Sequence, residues 1–156
     1  MRLNRDEIAN LIPHAGRMCL LDEVVEWNSM RIRCVARSHR DAGNPLRLDG
    51  VLPVLCGIEY AAQAMAVHAS LTGGAAGKPR GGYLARLRDV HCGRDRLDDV
   101  EHNLIIEAVQ MTLAGPRAIY GFTLWTGEER VLSGQAAVVL DYGDGRGVPP
   151  GQGHGN

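Results

Sequence analysis

Aromatic residues are scarce: two tryptophans, four tyrosines and one phenylalanine in 156 positions. Charge of one sign is lacking too, with 17 Lys and Arg against 18 Asp and Glu and a formal net charge of −1. A basic surface interleaved with stacking rings is absent, which argues against a nucleic-acid binder. The four cysteines (Cys19, Cys34, Cys56, Cys92) form no C-x-x-C pair and stand in no His/Cys cluster at metal spacing. Reduced thiols in a cytoplasmic protein, with no metal and no cofactor, are the expectation. The opening MRLNRDEIANLIP lacks the apolar core of a signal peptide. The most apolar stretch, Val54 to Leu71, carries Glu59, Gln63 and His68, and a carboxylate near mid-bilayer is costly. A helix enclosed by a globular domain is expected there rather than a membrane span.

What is present suits one domain: 45% apolar and 22% charged residues in a chain long enough to bury a core. Residues 1–142 read as that domain, and the Gly/Pro-rich tail 143–156 reads as disordered. Residues 5–11 suggest a short helix stopped by Pro13. Met18 to Trp27 reads as a strand, and Asn28-Ser29 as a tight connection. Beyond it Met30, Ile32, Cys34 and Ala36 alternate with Arg31, Arg33 and Arg37, the period of a half-buried strand. Ser38 to Gly50 is loop. Pro53 to Thr72 contains no internal proline and meets Gly73-Gly74, a helix roughly 28 Å long. It is apolar almost all round, as an enclosed helix is, and its alanines (Ala61, Ala62, Ala64, Ala66, Ala69) admit close neighbours. Four strand-like runs follow: Tyr83 to Cys92, Asn103 to Leu113, Ala118 to Trp125 and Val131 to Leu140. Helices do not alternate with them, which argues against a parallel sheet. Hairpin, loop, long helix and meander together predict an α+β domain.

Two motifs carry a family resemblance. Ile12-Pro13-His14, followed by Leu20-Leu21-Asp22-Glu23-Val24-Val25, is similar to the opening Leu-Pro-His and first strand of the hotdog-fold 3-hydroxyacyl-ACP dehydratases. The run PVLCGIEYAAQ, Pro53 to Gln63, resembles the Pro-Gly-Val-Leu-x-x-Glu-x-x-x-Gln segment opening that family's central helix. The match is nearest the dehydratase-like proteins of bacterial aryl-polyene clusters and covers about residues 8–141. It implies a hotdog fold, in which an antiparallel sheet wraps one long helix. It also implies a dimer of such subunits, an acyl tunnel at their interface, and elimination of water from an acyl-carrier-linked 3-hydroxyacyl thioester in fatty-acid or polyene synthesis. Glu59 takes the place of the catalytic carboxylate, and Gln63 that of the family's structural glutamine.

The chemistry fits those positions. A carboxyl among apolar groups has its charged form disfavoured, which suits it to donate a proton. Amides at a helix start polarise a carbonyl, and here they belong to Leu55, Cys56 and Gly57, where Gly57 would let ligand or backbone come close. The family's catalytic histidine, however, belongs to a Gly-His-Phe-Pro stretch that is missing. Counting back from Glu59 by the family's spacing lands on Pro45, and the loop's only histidine is His39, the remaining candidate base. His14 reads as structural, and His68 lies on the far side of the helix from Glu59. His91 and His102, at strand ends, have no assigned partner. Cys56 is either a low-pKa thiol or a small filler, and the filler is favoured. Lys78, Arg80, Arg86 and Arg88 form a basic stretch that either steers an acidic carrier protein or is a solvated strand face. Two alternatives to a self-sufficient homodimeric dehydratase stand beside it: a non-catalytic partner subunit of a heterodimeric dehydratase, and a hotdog acyl thioesterase.

Overall fold

A computed structural model describes residues 2–12, 18–73 and 81–141. His14, Lys78, Arg80 and the tail 143–156 lie outside the described residues. The chain forms β1 (Leu3–Asn4), α1 (Arg5–Ala9), β2 (Glu23–Trp27), β3 (Arg31–Ala36), 3₁₀ turns at Ser38–Arg40 and Val54–Cys56, and α2 (Gly57–Thr72). Four long strands follow: β4 (Gly81–Cys92), β5 (Leu104–Ala114), β6 (Arg117–Thr126) and β7 (Glu129–Asp141). The expected α+β hotdog architecture is what forms. One antiparallel sheet of seven strands, ordered β1-β2-β3-β5-β6-β7-β4, packs on α2.

Local chemistry explains the elements. Asn4 and Glu7 make a capping box that starts α1, satisfying amides the helix leaves free. The Asn28 side chain accepts from the Met30 and Arg31 amides and closes the β2–β3 hairpin. The tight turns after β5 and β6 place Gly115 and Gly127 at φ of 59° and 58°, backbone that favours glycine. Along β6, Ala118, Tyr120, Phe122 and Leu124 are buried by alternation, as the sequence predicts. They meet Tyr60, Ala61, Ala64 and Val67 of α2 in one core.

Two expectations change. The apolar run from Met18 is a strand only from Glu23; Cys19, Leu20 and Leu21 are buried, but this segment is fastened by a side chain of α2 instead of a ladder. The last four strands are not a simple meander either, because β4 pairs only with β7 and forms a sheet edge. The connection after β4 makes this possible by crossing under the start of α2. Leu97 donates to the Leu52 carbonyl, Val54 donates to Asp95, and the Asp98 carboxylate accepts from the Leu52 amide. Its hydrogen bond with Arg96 holds Asp98 far below the usual carboxylate range. No helix among the described residues is long and apolar enough to cross a membrane.

Candidate active site

The helix does not begin with free amides. A 3₁₀ turn precedes it, in which Cys56 N–H donates to the Pro53 carbonyl and Gly57 N–H to that of Val54. Of the three expected donors, only Leu55 has no acceptor inside this turn, and its side chain is exposed. Gly57 does permit a close approach, but by the sheet: a Cβ there would lie 2.8 Å from Leu132 Cδ2 and 2.9 Å from Leu124 Cδ2. The absent side chain lets the first turn of α2 sit down on β6 and β7. Burial, with Glu59 second, pushes the Cys56 thiol up, the direction that suits a small filler.

From this turn α2 presents Glu59 to a groove of about 240 Å³. Its helix wall is Glu59, Ala62, Gln63, Met65, Ala66 and Ser70, and its other walls are Leu11, Gly81 to Leu84 of β4, and Val138 and Leu140 of β7. Apart from Glu59, Gln63, Ser70 and Tyr83 the lining is apolar or glycine. Gln63 is 2% exposed and uses both ends of its amide. Its Oε1 accepts from the Leu20 amide at 2.9 Å, its Nε2 donates to the Met18 carbonyl at 2.6 Å, and the same nitrogen reaches Glu59 Oε2 at 3.5 Å. Gln63 therefore pins the segment ahead of β2 and turns one donor toward the carboxylate. The adjacent edge strand β4 holds Tyr83, 64% exposed, at the groove's rim.

The described histidines stand elsewhere. His39 is fully buried, its Nε2–H donating to the His102 carbonyl at 2.9 Å and its Nδ1 without a partner among the described residues. Burial lowers its pKa, and it does not line the groove with Glu59. His68 is sealed on the opposite side of α2, as the helical spacing predicts. Its Nδ1 accepts from Tyr120 O–H at 2.7 Å and its Nε2–H donates to the Asn28 carbonyl at 2.9 Å. Both nitrogens are satisfied, and burial lowers its pKa as well. His91 is exposed on β4. Arg86 and Arg88, also on β4, are exposed. No described group of three or more His, Cys, Asp or Glu is placed to hold a metal ion.

Beyond the residues that the motifs single out, the groove is lined by Ser70, which donates to the Leu11 carbonyl at 2.9 Å, and by Gly81 and Gly82 of β4. Spacing along α2 could have found Ser70, since it falls on the face of Glu59; the strand residues depend on long-range pairing.

No curated protein matches the chain. Among solved structures it is similar to the dehydratase heterocomplex ApeI:P from Xenorhabdus doucetiae, at 22% identity and TM-score 0.73 over 88% of this chain and 91% of that one. It is also similar to thioesterase HI1161 from Haemophilus influenzae, at 11% identity and TM-score 0.63 over 88% and 90%. A third is Cj0977, a sigma28-regulated virulence protein from Campylobacter jejuni, at 9% identity and TM-score 0.60 over 87% and 89%. At these identities the structures establish the shared fold. The family model of the ApeP dehydratases matches residues 6–142, nearly the whole described chain, and the protein belongs to the ApeP dehydratase family.

Proposed function

We propose that the protein eliminates water from a 3-hydroxyacyl thioester carried on an acyl carrier protein, with Glu59 as the general acid and a second hotdog subunit completing the site. The observation that carries this reading is the Glu59 carboxyl, oriented by Gln63 and opening on an apolar groove. In the elimination a base removes the proton α to the thioester, the Cα–Cβ double bond forms, and the C–O bond breaks as Glu59 protonates the departing hydroxyl. The base ends protonated and Glu59 ionised, so each returns to its starting state by exchange with water. Removing solvent from the groove strengthens both proton transfers. A thioester carbonyl brought to the start of α2 would meet the positive end of the helix dipole and the Leu55 amide, whereas the Cys56 and Gly57 amides are already used within the 3₁₀ turn.

The base is assigned to the second subunit. Among the described residues no histidine lines the groove, and His39 is buried and committed to a backbone carbonyl. The relative described as a dehydratase heterocomplex supports an assembly with an unlike hotdog subunit. The edge of β4 that no other described strand covers, beside the groove, is where another sheet would join. Arg86 and Arg88 on that strand, with Lys78 and Arg80 before it, offer cations to an acidic carrier. Purified chain, alone and with a co-expressed hotdog dehydratase subunit, is given carrier-bound 3-hydroxyacyl thioester and the product read by mass spectrometry. Loss of one water only in the mixture supports the assignment. Turnover by the lone chain returns the base to this polypeptide, and release of free acid instead of an enoyl thioester selects a thioesterase.

A further inference from the structure

We propose that Ser38, in the turn after β3, is a positioning residue for Glu59: it holds the Met18–Leu20 segment in place, and that segment decides which end of the Gln63 amide faces the carboxyl. The kinetic part of the inference rests on the reading of Glu59 as the acid; the positional part stands without it.

Gln63 Oε1 accepts from the Leu20 amide at 2.9 Å, and its Nε2 donates to the Met18 carbonyl at 2.6 Å. A backbone N–H can only donate and a backbone carbonyl can only accept. An amide turned over would therefore set donor against donor at Leu20 and acceptor against acceptor at Met18. The two backbone groups select one orientation, and in it the atom 3.5 Å from Glu59 Oε2 is the nitrogen. The turned amide would present its oxygen instead. A carboxylate that has given up its proton is stabilised by a facing N–H and repelled by a facing carbonyl oxygen. The choice of face therefore matters most at the moment Glu59 becomes charged.

This selection lasts only while Met18 and Leu20 stay level with Gln63, and β2 begins later, at Glu23. Ser38 supplies a tie. Its Oγ donates to the Leu20 carbonyl at 2.7 Å and lies 2.9 Å from the Tyr60 hydroxyl. Since the single hydroxyl proton of Ser38 goes to Leu20, Tyr60 donates to Ser38. The Tyr60 oxygen in turn accepts from Asn44 Nδ2 at 3.1 Å. Each hydrogen is thereby assigned, and the bonds point one way, from Asn44 through Tyr60, Ser38, Leu20 and Gln63 to Glu59. Tyr60 follows Glu59 in sequence but projects about 100° away around α2. The chain thus leaves the helix on its sealed face and returns on the groove face, by way of a fully buried Leu20. Ser38 is half-buried, whereas Tyr60 is fully buried, so Ser38 is the member that can be changed with little loss of packing.

The test places Ser38→Ala, and Ser38→Thr, which keeps the hydroxyl, in the full chain in its native assembly. The first readout is solvent exchange of the Gln63 side-chain N–H pair by NMR, assigned by its loss in Gln63→Glu, and it needs no turnover. Exchange is expected to quicken about five-fold in Ser38→Ala, the worth of one hydrogen bond, and to return to the wild-type rate in Ser38→Thr. The second readout is loss of water from a carrier-bound 3-hydroxyacyl thioester. There kcat should fall about five-fold in Ser38→Ala with KM unchanged, and recover in Ser38→Thr. A serine that only stabilised the fold would lower the unfolding midpoint and leave both readouts of the folded protein as they were. Ser38→Cys, whose thiol is a weak donor, stands in should the alanine variant fail to fold. Unchanged Gln63 exchange in the folded variant overturns the inference, as do an intact kcat, a rise in KM alone, or equal losses in the alanine and threonine variants. Quickened exchange in an assembly that eliminates no water even as wild type upholds the positional chain and removes the dehydratase reading.

Discussion

On one side of α2 the polar groups are fully employed by the fold; on the other, the Glu59 carboxyl is not. His68 and Tyr60 face inward, and each hydrogen-bonds with two groups: His68 with Tyr120 and Asn28, Tyr60 with Ser38 and Asn44. Glu59 faces the groove, and the one hydrogen bond described for its carboxylate is the long contact from Gln63. A buried polar group with all its partners holds structure, and removing one partner leaves the others unsatisfied. A carboxyl with spare acceptors beside an apolar channel is free to exchange a proton with a ligand. One helix therefore separates a sealed face from one that opens on the groove, and substitutions on the two faces should fail differently.

The largest loss of stability is expected from His68→Ala, which takes one hydrogen-bond partner each from Tyr120 and the Asn28 carbonyl and opens a void, costing about 2–5 kcal/mol in denaturant unfolding. Loss of catalysis without loss of stability in this variant would erase the distinction between the faces. Gly57→Val follows, at about 1–3 kcal/mol, because its side chain enters the space of Leu124 and Leu132; unchanged stability would mean that the helix start does not rest on the sheet. Acid should then weaken the fold. His39 and His68 have pKa values lowered by burial from an ordinary 6.5, so below that value the unfolded chain binds more protons and stability falls with pH. The melting temperature is expected to drop on acidification from pH 7, and less steeply in His68→Gln. The smallest effect is assigned to Arg86→Glu with Arg88→Glu, which should weaken carrier-protein binding a few-fold at low salt and little at high salt.

Much of the fold is legible in the residues, and the exceptions have physical causes. The period-2 pattern of β3 and β6 and the proline-free apolar run of α2 announce their elements directly. The Met18–Leu21 segment is as apolar as a strand, yet Gln63, more than forty residues later, supplies its hydrogen bonds; hydrophobicity reports burial and not the source of the backbone's partner. The position of β4 beside β7 depends on the Asp98–Leu52 and Asp95–Val54 contacts, which link residues with no local signal. At the site, the motif around Glu59 and Gln63 places both on one face because four residues are one helical turn. His39 has the right chemistry for a base, but its ring is held by the His102 carbonyl, a contact invisible in its own loop. Gly57 lets ligand or backbone come close, and it is leucines of the sheet that do so.

The most direct test is turnover of a carrier-bound 3-hydroxyacyl thioester by the native assembly carrying Glu59→Gln in this chain, measured beside its unfolding midpoint. The amide keeps the shape and the contact with Gln63 but has no acidic proton, so the rate should fall by about 10²–10⁴-fold while stability changes by less than about 1 kcal/mol. An undiminished rate in a properly folded variant would contradict the assignment of Glu59 as the acid.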